Sequence, residues 1–178
     1  MACVLTKGRN VPCKSGVGGL KSVYFTDFGD LGAITIAGFE ITAIAGSPTL
    51  YQFDLKGNST FETTVTSSRE NGTTFYESTL TLNFTFQDRD TQEEIRLLSI
   101  ARPHIWVEAY SGLAGSSYYL MGKVNGCELT TGTFSNGAAM GDLNGYSLTF
   151  TAQEMAAPDF TVEAVVIGAS QGTKITPN

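Results

Sequence analysis

The chain has 178 residues, with 11 Lys and Arg against 17 Asp and Glu and a net charge of −6. One domain of this length buries roughly 70% of the surface its unfolded form exposes, so its core needs neither disulfide nor metal. Charged residues at 16%, hydrophobic residues at 42% and 20 glycines exclude long-range disorder and a phosphate-gripping basic surface, and suit strands with extensive contact faces.

The cysteines are Cys3, Cys13 and Cys127, and the single histidine is His104. An odd count with no Cys-x-x-Cys pair argues against a closed disulfide set and leaves a zinc site short of ligands. Reduced thiols and a cytoplasmic origin are the expectation. The start, from Met1 to Arg9, has no apolar leader core, and no apolar run of 18 residues would span a membrane. The sequons at Asn58, Asn71 and Asn83 read as accidents of a Thr-rich chain.

Residues 1–20 are Gly-rich and carry Lys7, Arg9 and Lys14. They read as an extended arm, either a disordered terminus or a strap onto a neighbouring subunit, with Val4, Leu5, Val11 and Leu20 as the contacts in the second case. One β-sandwich domain is expected over 21–168 and a polar tail over 169–178. Strands are expected near 22–27, 33–37, 39–44 and 49–55, punctuated by Gly29, Gly32, Gly38, Gly46 and Pro48.

The strongest local pattern is a hairpin over 59–86 turning at Asn71-Gly72, which fits a two-residue type I′ turn. That turn sets Glu70 opposite Thr73 and Phe61 opposite Leu82. One face then collects Phe61, Val65, Tyr76, Leu80 and Leu82. The other collects Thr60, Glu62, Thr64, Thr66, Glu77, Thr79, Thr81 and Asn83. Both strands agree on which face is apolar, as a one-residue slip would not allow. The ribbon therefore has one face in a core and one in water.

A single helix is expected at 91–101, capped by Asp90 with Glu93 three residues on, striped by Ile95, Leu97, Leu98 and Ile100, and stopped by Pro103. Strands return at 104–110, 117–124, 127–134, 145–153 and 160–167. The breaks at Ser111-Gly112, Asn125-Gly126, Asn136-Gly137 and Asn144-Gly145 imply antiparallel neighbours.

Catalytic motifs are missing. Gly16-Val17-Gly18-Gly19 lacks the Lys-Ser/Thr of a P-loop, and there is no nucleophile elbow. His104 reads as a hydrogen-bonded structural histidine, Glu93 and Glu94 as first-turn acids favoured by the helix dipole. Trp106, Tyr118 and Tyr119 read as core rings, with a sugar-stacking platform as the alternative. No catalytic, metal-binding or cofactor-binding residue is assigned.

The segment from His104 to Pro158 carries a family pattern. It runs Ile105-Trp106-Val107-Glu108, Tyr119-Leu120-Met121-Gly122, Asn125-Gly126-Cys127-Glu128-Leu129-Thr130, Gly137-Ala138-Ala139-Met140-Gly141-Asp142 and Asn144-Gly145-Tyr146-Ser147-Leu148-Thr149-Phe150, closing at Ala157-Pro158. This resembles the C-terminal portion of the tail tube proteins of tailed phages, and the preceding hairpin and helix fit that layout over about two-thirds of the chain. The pattern is one of turns and strands, not of reactive groups.

The resemblance implies a mainly β fold, an antiparallel β-sandwich or barrel with one flanking α-helix. Six copies would form a hexameric ring, and stacked rings a hollow tube in the virion tail, synthesised in the host bacterial cytoplasm. The partners implied are the chain itself, the tape-measure, neck and baseplate proteins, and DNA passing non-specifically. Thr60, Glu62, Thr64, Thr66, Glu77, Thr79 and Thr81 would face the lumen. The alternatives are another phage component (neck, tail-terminator, baseplate or head-decoration protein) or a carbohydrate-binding or adhesin sandwich. An enzyme is the least supported class.

Overall fold

Two β-sheets share one apolar layer, and the larger carries a second layer on its other face. The computed structural model describes residues 5, 7–11, 14, 16–56, 58–111 and 115–175. The strands are β1 Leu20–Thr26, β2 Ile34–Ala37, β3 Glu40–Ile44, β4 Thr49–Asp54, β5 Thr60–Ser68, β6 Thr73–Thr85, β7 His104–Ser111, β8 Gly115–Met121, β9 Glu128–Ser135, β10 Gly145–Glu154, β11 Asp159–Thr161 and β12 Ser170–Gln171. The helices are α1 Arg89–Leu98 and α2 Glu163–Ile167. The large sheet runs β12-β4-β1-β7-β8-β11-β3-β2, the small one β5-β6-β10-β9. The fold is mainly β, with open sheets of sandwich type.

Alternation explains the layers. In β1, Val23 and Phe25 point to one side while Ser22, Tyr24 and Thr26 point to the other, and all five are buried. In β7, Ile105 and Val107 oppose Trp106 and Glu108 in the same way. The first set meets Leu80, Leu82, Leu148 and Phe150 of the small sheet and Ile95 of α1. The second set meets Ile41, Leu50, Leu120 and Val166. Each fully buried Leu, Ile or Phe contributes about 1.5–3 kcal/mol, so both layers carry substantial stability.

The 59–86 hairpin forms with its faces as expected, but its turn differs. Ser68 pairs with Thr73 and Phe61 with Leu80, so Arg69–Gly72 is a four-residue loop. Only Gly72 has positive φ, at 61°, and Asn71 does not. One left-handed residue suffices for this wider turn, whereas type I′ needs two. The pairing slips by two residues, an even number, so every side chain keeps its face. Val65 is 55% exposed because the ribbon extends beyond the layer beneath it.

Other expectations are corrected. The cap of α1 is Asp88, whose carboxylate accepts from the Thr91 amide; Asp90 lies inside the first turn. Ile95 and Leu98 pack on the core, while Leu97 and Ile100 remain exposed. The expected strand 160–167 divides into β11 and the second helix, α2, because Val166 gains burial against the large sheet despite the β-branched run Val165-Val166-Ile167. The expected tail supplies β12, parallel to β4. Asn125-Gly126 links β8 to β9, which belong to different sheets, so that turn is not a hairpin.

Candidate functional site

The expected wet face of the hairpin is part of a larger surface. Across the small sheet the registers align Thr60, Thr81, Thr149 and Thr131 in one row. The next row is Glu62, Thr79, Thr151 and Glu128, and the next is Thr64, Glu77 and Gln153. Gln153 Nε2 donates to Glu77 Oε2 at 3.4 Å. Thr66 continues the face opposite Phe75 toward the tip. The structure thus brings all seven expected residues to one face. Sequence reasoning missed that β10 and β9 extend it through Thr149, Thr151, Gln153, Thr131 and Glu128. The Ser147-x-Thr149-x-Thr151-x-Gln153 alternation was the signal that could have found them.

Chemically the face is hydroxyls and carboxylates. None of the four strands contains Lys or Arg. The nearest cation to Glu128 is Arg102, 3.9 Å from its carboxylate. Such a wall repels phosphates weakly and at short range, since screening at physiological salt acts over about 8 Å.

Both edges of this sheet are long. β5 has 9 residues and β9 has 8, and each has a sheet neighbour on one side only. The strands alternate in direction, so β5 and β9 run oppositely. Rotation about an axis along the strands would therefore set the β9 edge of one copy antiparallel to the β5 edge of the next.

Of the contacts expected for the arm, Leu5, Val11 and Leu20 are among the described residues. Leu5 and Val11 are 96% and 95% exposed and have no seat on their own domain. Leu20 is corrected: it opens β1 and packs against the inter-sheet core, so it belongs to the domain. Val4, Cys3 and Cys13 lie outside the described residues.

The buried polar groups lie elsewhere. A bulge at the start of β1, between Leu20 and Ser22, brings Lys21 and Ser22 to the Glu108 carboxylate. Lys21 Nζ donates to Oε1 at 2.6 Å, while Ser22 Oγ and Tyr24 Oη donate to Oε2. This pairing raises the Lys21 ammonium above its usual range, and burial raises the Tyr24 and Tyr118 hydroxyls. His104 Nδ1 lies 2.6 Å from the Gly122 carbonyl and its ring stacks on Phe28, with burial lowering its pKa. Cys127 is buried and its thiol is pushed up by desolvation. Among the described residues, no group of three His, Cys, Asp or Glu side chains converges as a metal site.

Trp106 and Tyr118 are buried, at 1% and 3% exposure, and offer no exposed sugar platform. Comparison with family profiles, curated proteins and solved structures finds no match.

The motif residues behind the resemblance have structural roles. Asp142 accepts from the Ala138 and Ala139 amides, which lowers its pKa. A Cβ at Gly145 would overlap the Phe84 carbonyl oxygen. The Tyr146 hydroxyl donates to the Asp88 carbonyl and accepts the Asp88 amide, fixing the start of α1. No helix among the described residues is long and apolar enough to cross a membrane.

Proposed function

We propose that this chain is a tail tube subunit whose small sheet lines a DNA-conducting channel. The supporting observation is the Thr- and Glu-rich polar face of that sheet, whose four strands carry no Lys or Arg and which is bounded by two long free edges of opposite direction. Edge strands invite pairing with another chain, and ring closure removes them.

The dimensions are compatible with the task. Six copies of a four-stranded sheet give about 24 strands at about 4.8 Å spacing, and a tilt of about 40° widens the circle to roughly 50 Å across the backbone. Side chains leave a bore of roughly 35–40 Å, wide enough for a duplex of about 20 Å. Stacking of rings is then an open-ended, heterologous contact that builds a filament. The exposed arm, with Leu5 and Val11, serves as a strap between copies.

Negative-stain microscopy of the concentrated protein tests this directly. Rings or hollow tubes are expected. Light scattering that reports monomers at every concentration and salt would reject the reading.

A further inference from the structure

The sequence holds four Asn-Gly pairs, at Asn71, Asn125, Asn136 and Asn144. Such a pair can close on itself, because glycine has no Cβ to shield its amide nitrogen from the preceding carboxamide. All four share that local chemistry, so the fold decides which can react. The attack needs a glycine N–H that is not already donated and a main chain free to turn.

Three pairs are held. Asn125 donates its amide to Glu154 and its Nδ2 to the Gln153 carbonyl, while the Gly126 amide donates to the Gly122 carbonyl at 3.1 Å. Gly145 is buried in β10, paired with Thr85 of β6 and Ser135 of β9, and the Asn144 carbonyl accepts the Phe86 amide at 2.7 Å. The Gly137 amide donates to Ser135 Oγ at 3.3 Å, one exposed bond. The hairpin tip differs. Asn71 and Gly72 are both exposed, and nothing lies within 4 Å of where a Gly72 Cβ would sit. Neither the Gly72 amide nor the Asn71 carboxamide has a hydrogen-bond partner among the described residues.

We propose that Asn71 is a site of self-modification, converted in the folded chain to aspartate and isoaspartate. The Gly72 nitrogen bonds to Asn71 Cγ and the Cγ–Nδ2 bond breaks, releasing ammonia with the proton from the Gly72 amide. Water then opens the resulting succinimide at either carbonyl. The sum is asparagine plus water giving aspartate or isoaspartate plus ammonia, with no oxidant, metal or enzyme. The product adds one negative charge beside Glu70, and the isoaspartate adds one carbon to the main chain of the Arg69–Gly72 loop. The reaction needs only the folded chain and water, so it stands apart from the tube reading.

The test follows the unassembled chain at neutral pH and physiological temperature. Peptide mapping by mass spectrometry reads each pair through the mass gain of exchanging an amino group for a hydroxyl. Isoaspartyl methyltransferase labelling confirms the isoaspartate. A parallel arm in urea removes the fold. We expect Asn71 to convert at nearly its unfolded rate. Asn136 should be about two- to tenfold slower than Asn71, the equivalent of one net hydrogen bond. Asn125 and Asn144 should be slower by at least about a hundredfold, because several bonds must open together. In urea the four rates should converge. Asn71→Ser should abolish the main acidic form that accumulates on ion exchange. A folded rate at Asn71 no higher than that of any other pair would overturn the proposal. So would a rate at Asn71 more than about tenfold below its urea value, which would mean that the tip is held as the others are. An acidic form that persists undiminished in Asn71→Ser would overturn it as well.

Discussion

Replacing Lys21 by methionine should destabilise the domain by about 1–2 kcal/mol, a figure set by the unequal exposure of the ion pair. The Lys21 side chain is 52% exposed and that of Glu108 is 1% exposed, with 2.6 Å between the charges. At that distance attraction is about 6 kcal/mol at an effective dielectric of 20 and about 1.6 kcal/mol in bulk water. An ammonium half in water belongs near the lower figure. Glu108→Ala should cost more, about 3–5 kcal/mol, because it strips the buried Ser22 and Tyr24 hydroxyls of their acceptor while leaving Lys21 free to hydrate.

The assay is urea and thermal unfolding of the unassembled chain, where Lys21→Met should lower the midpoint by about 3–6 °C. The pH dependence supplies a second check. Because the folded Lys21 pKa is raised, its contribution is complete below about 10.5, the unfolded value, and is lost as pH climbs through the folded value. Tyr24 and Tyr118, also raised, lose stability in the same direction above about 10. Lys21→Met should therefore make the alkaline decline shallower without removing it. A methionine variant as stable as the parent, or an alanine variant no worse than it, would refute the reasoning.

Three further outcomes are expected. Glu62→Lys with Glu77→Lys should leave stability within about 0.5 kcal/mol, yet create salt-sensitive DNA binding on assembled tubes, measurable by cosedimentation at two ionic strengths. Removing residues 2–18 should impair ring stacking more than it lowers the unfolding midpoint, and normal polymer length by microscopy would reject the strap. His104 has a lowered pKa, so its stability contribution is present above about 6.5 and falls as pH drops through the folded value. An acid titration of the melting temperature should show that loss, and His104→Phe should flatten it.

The hairpin was legible in the sequence because strand alternation and the Asn-Gly turn point to the same faces, and a two-residue slip could not reverse them. β1 and β7 were legible as strands, but their burial on both faces was not, since Ser22 and Glu108 look like solvent positions until the bulge brings them together. The second helix was hidden because local β propensity at Val165-Val166-Ile167 was overridden by the seat that Val166 finds on the large sheet. The full extent of the polar face needed the pairing of β6 with β10, a contact between distant segments that no local pattern specifies.

The free edges provide the sharpest separation between a solvated sheet and a wall built for closure. Proteins that must stay monomeric guard such edges with Lys, Pro or very short strands. β5 and β9 have none of these: they are 9 and 8 residues long and contain neither Lys nor Pro. In an antiparallel edge strand, alternate residues direct their N–H toward the neighbour or outward. Of the adjacent variants Thr63→Pro and Thr64→Pro, one therefore removes a bond to β6 and the other only a free donor. The first should unfold at distinctly lower urea. The second should keep the parent's circular dichroism and unfolding midpoint but lose the ability to form rings, because its outward donor is needed at the seam. If the variant that retains its fold still assembles into normal tubes, β5 is not the seam strand, and closure through the small sheet is wrong even if tubes form by another route.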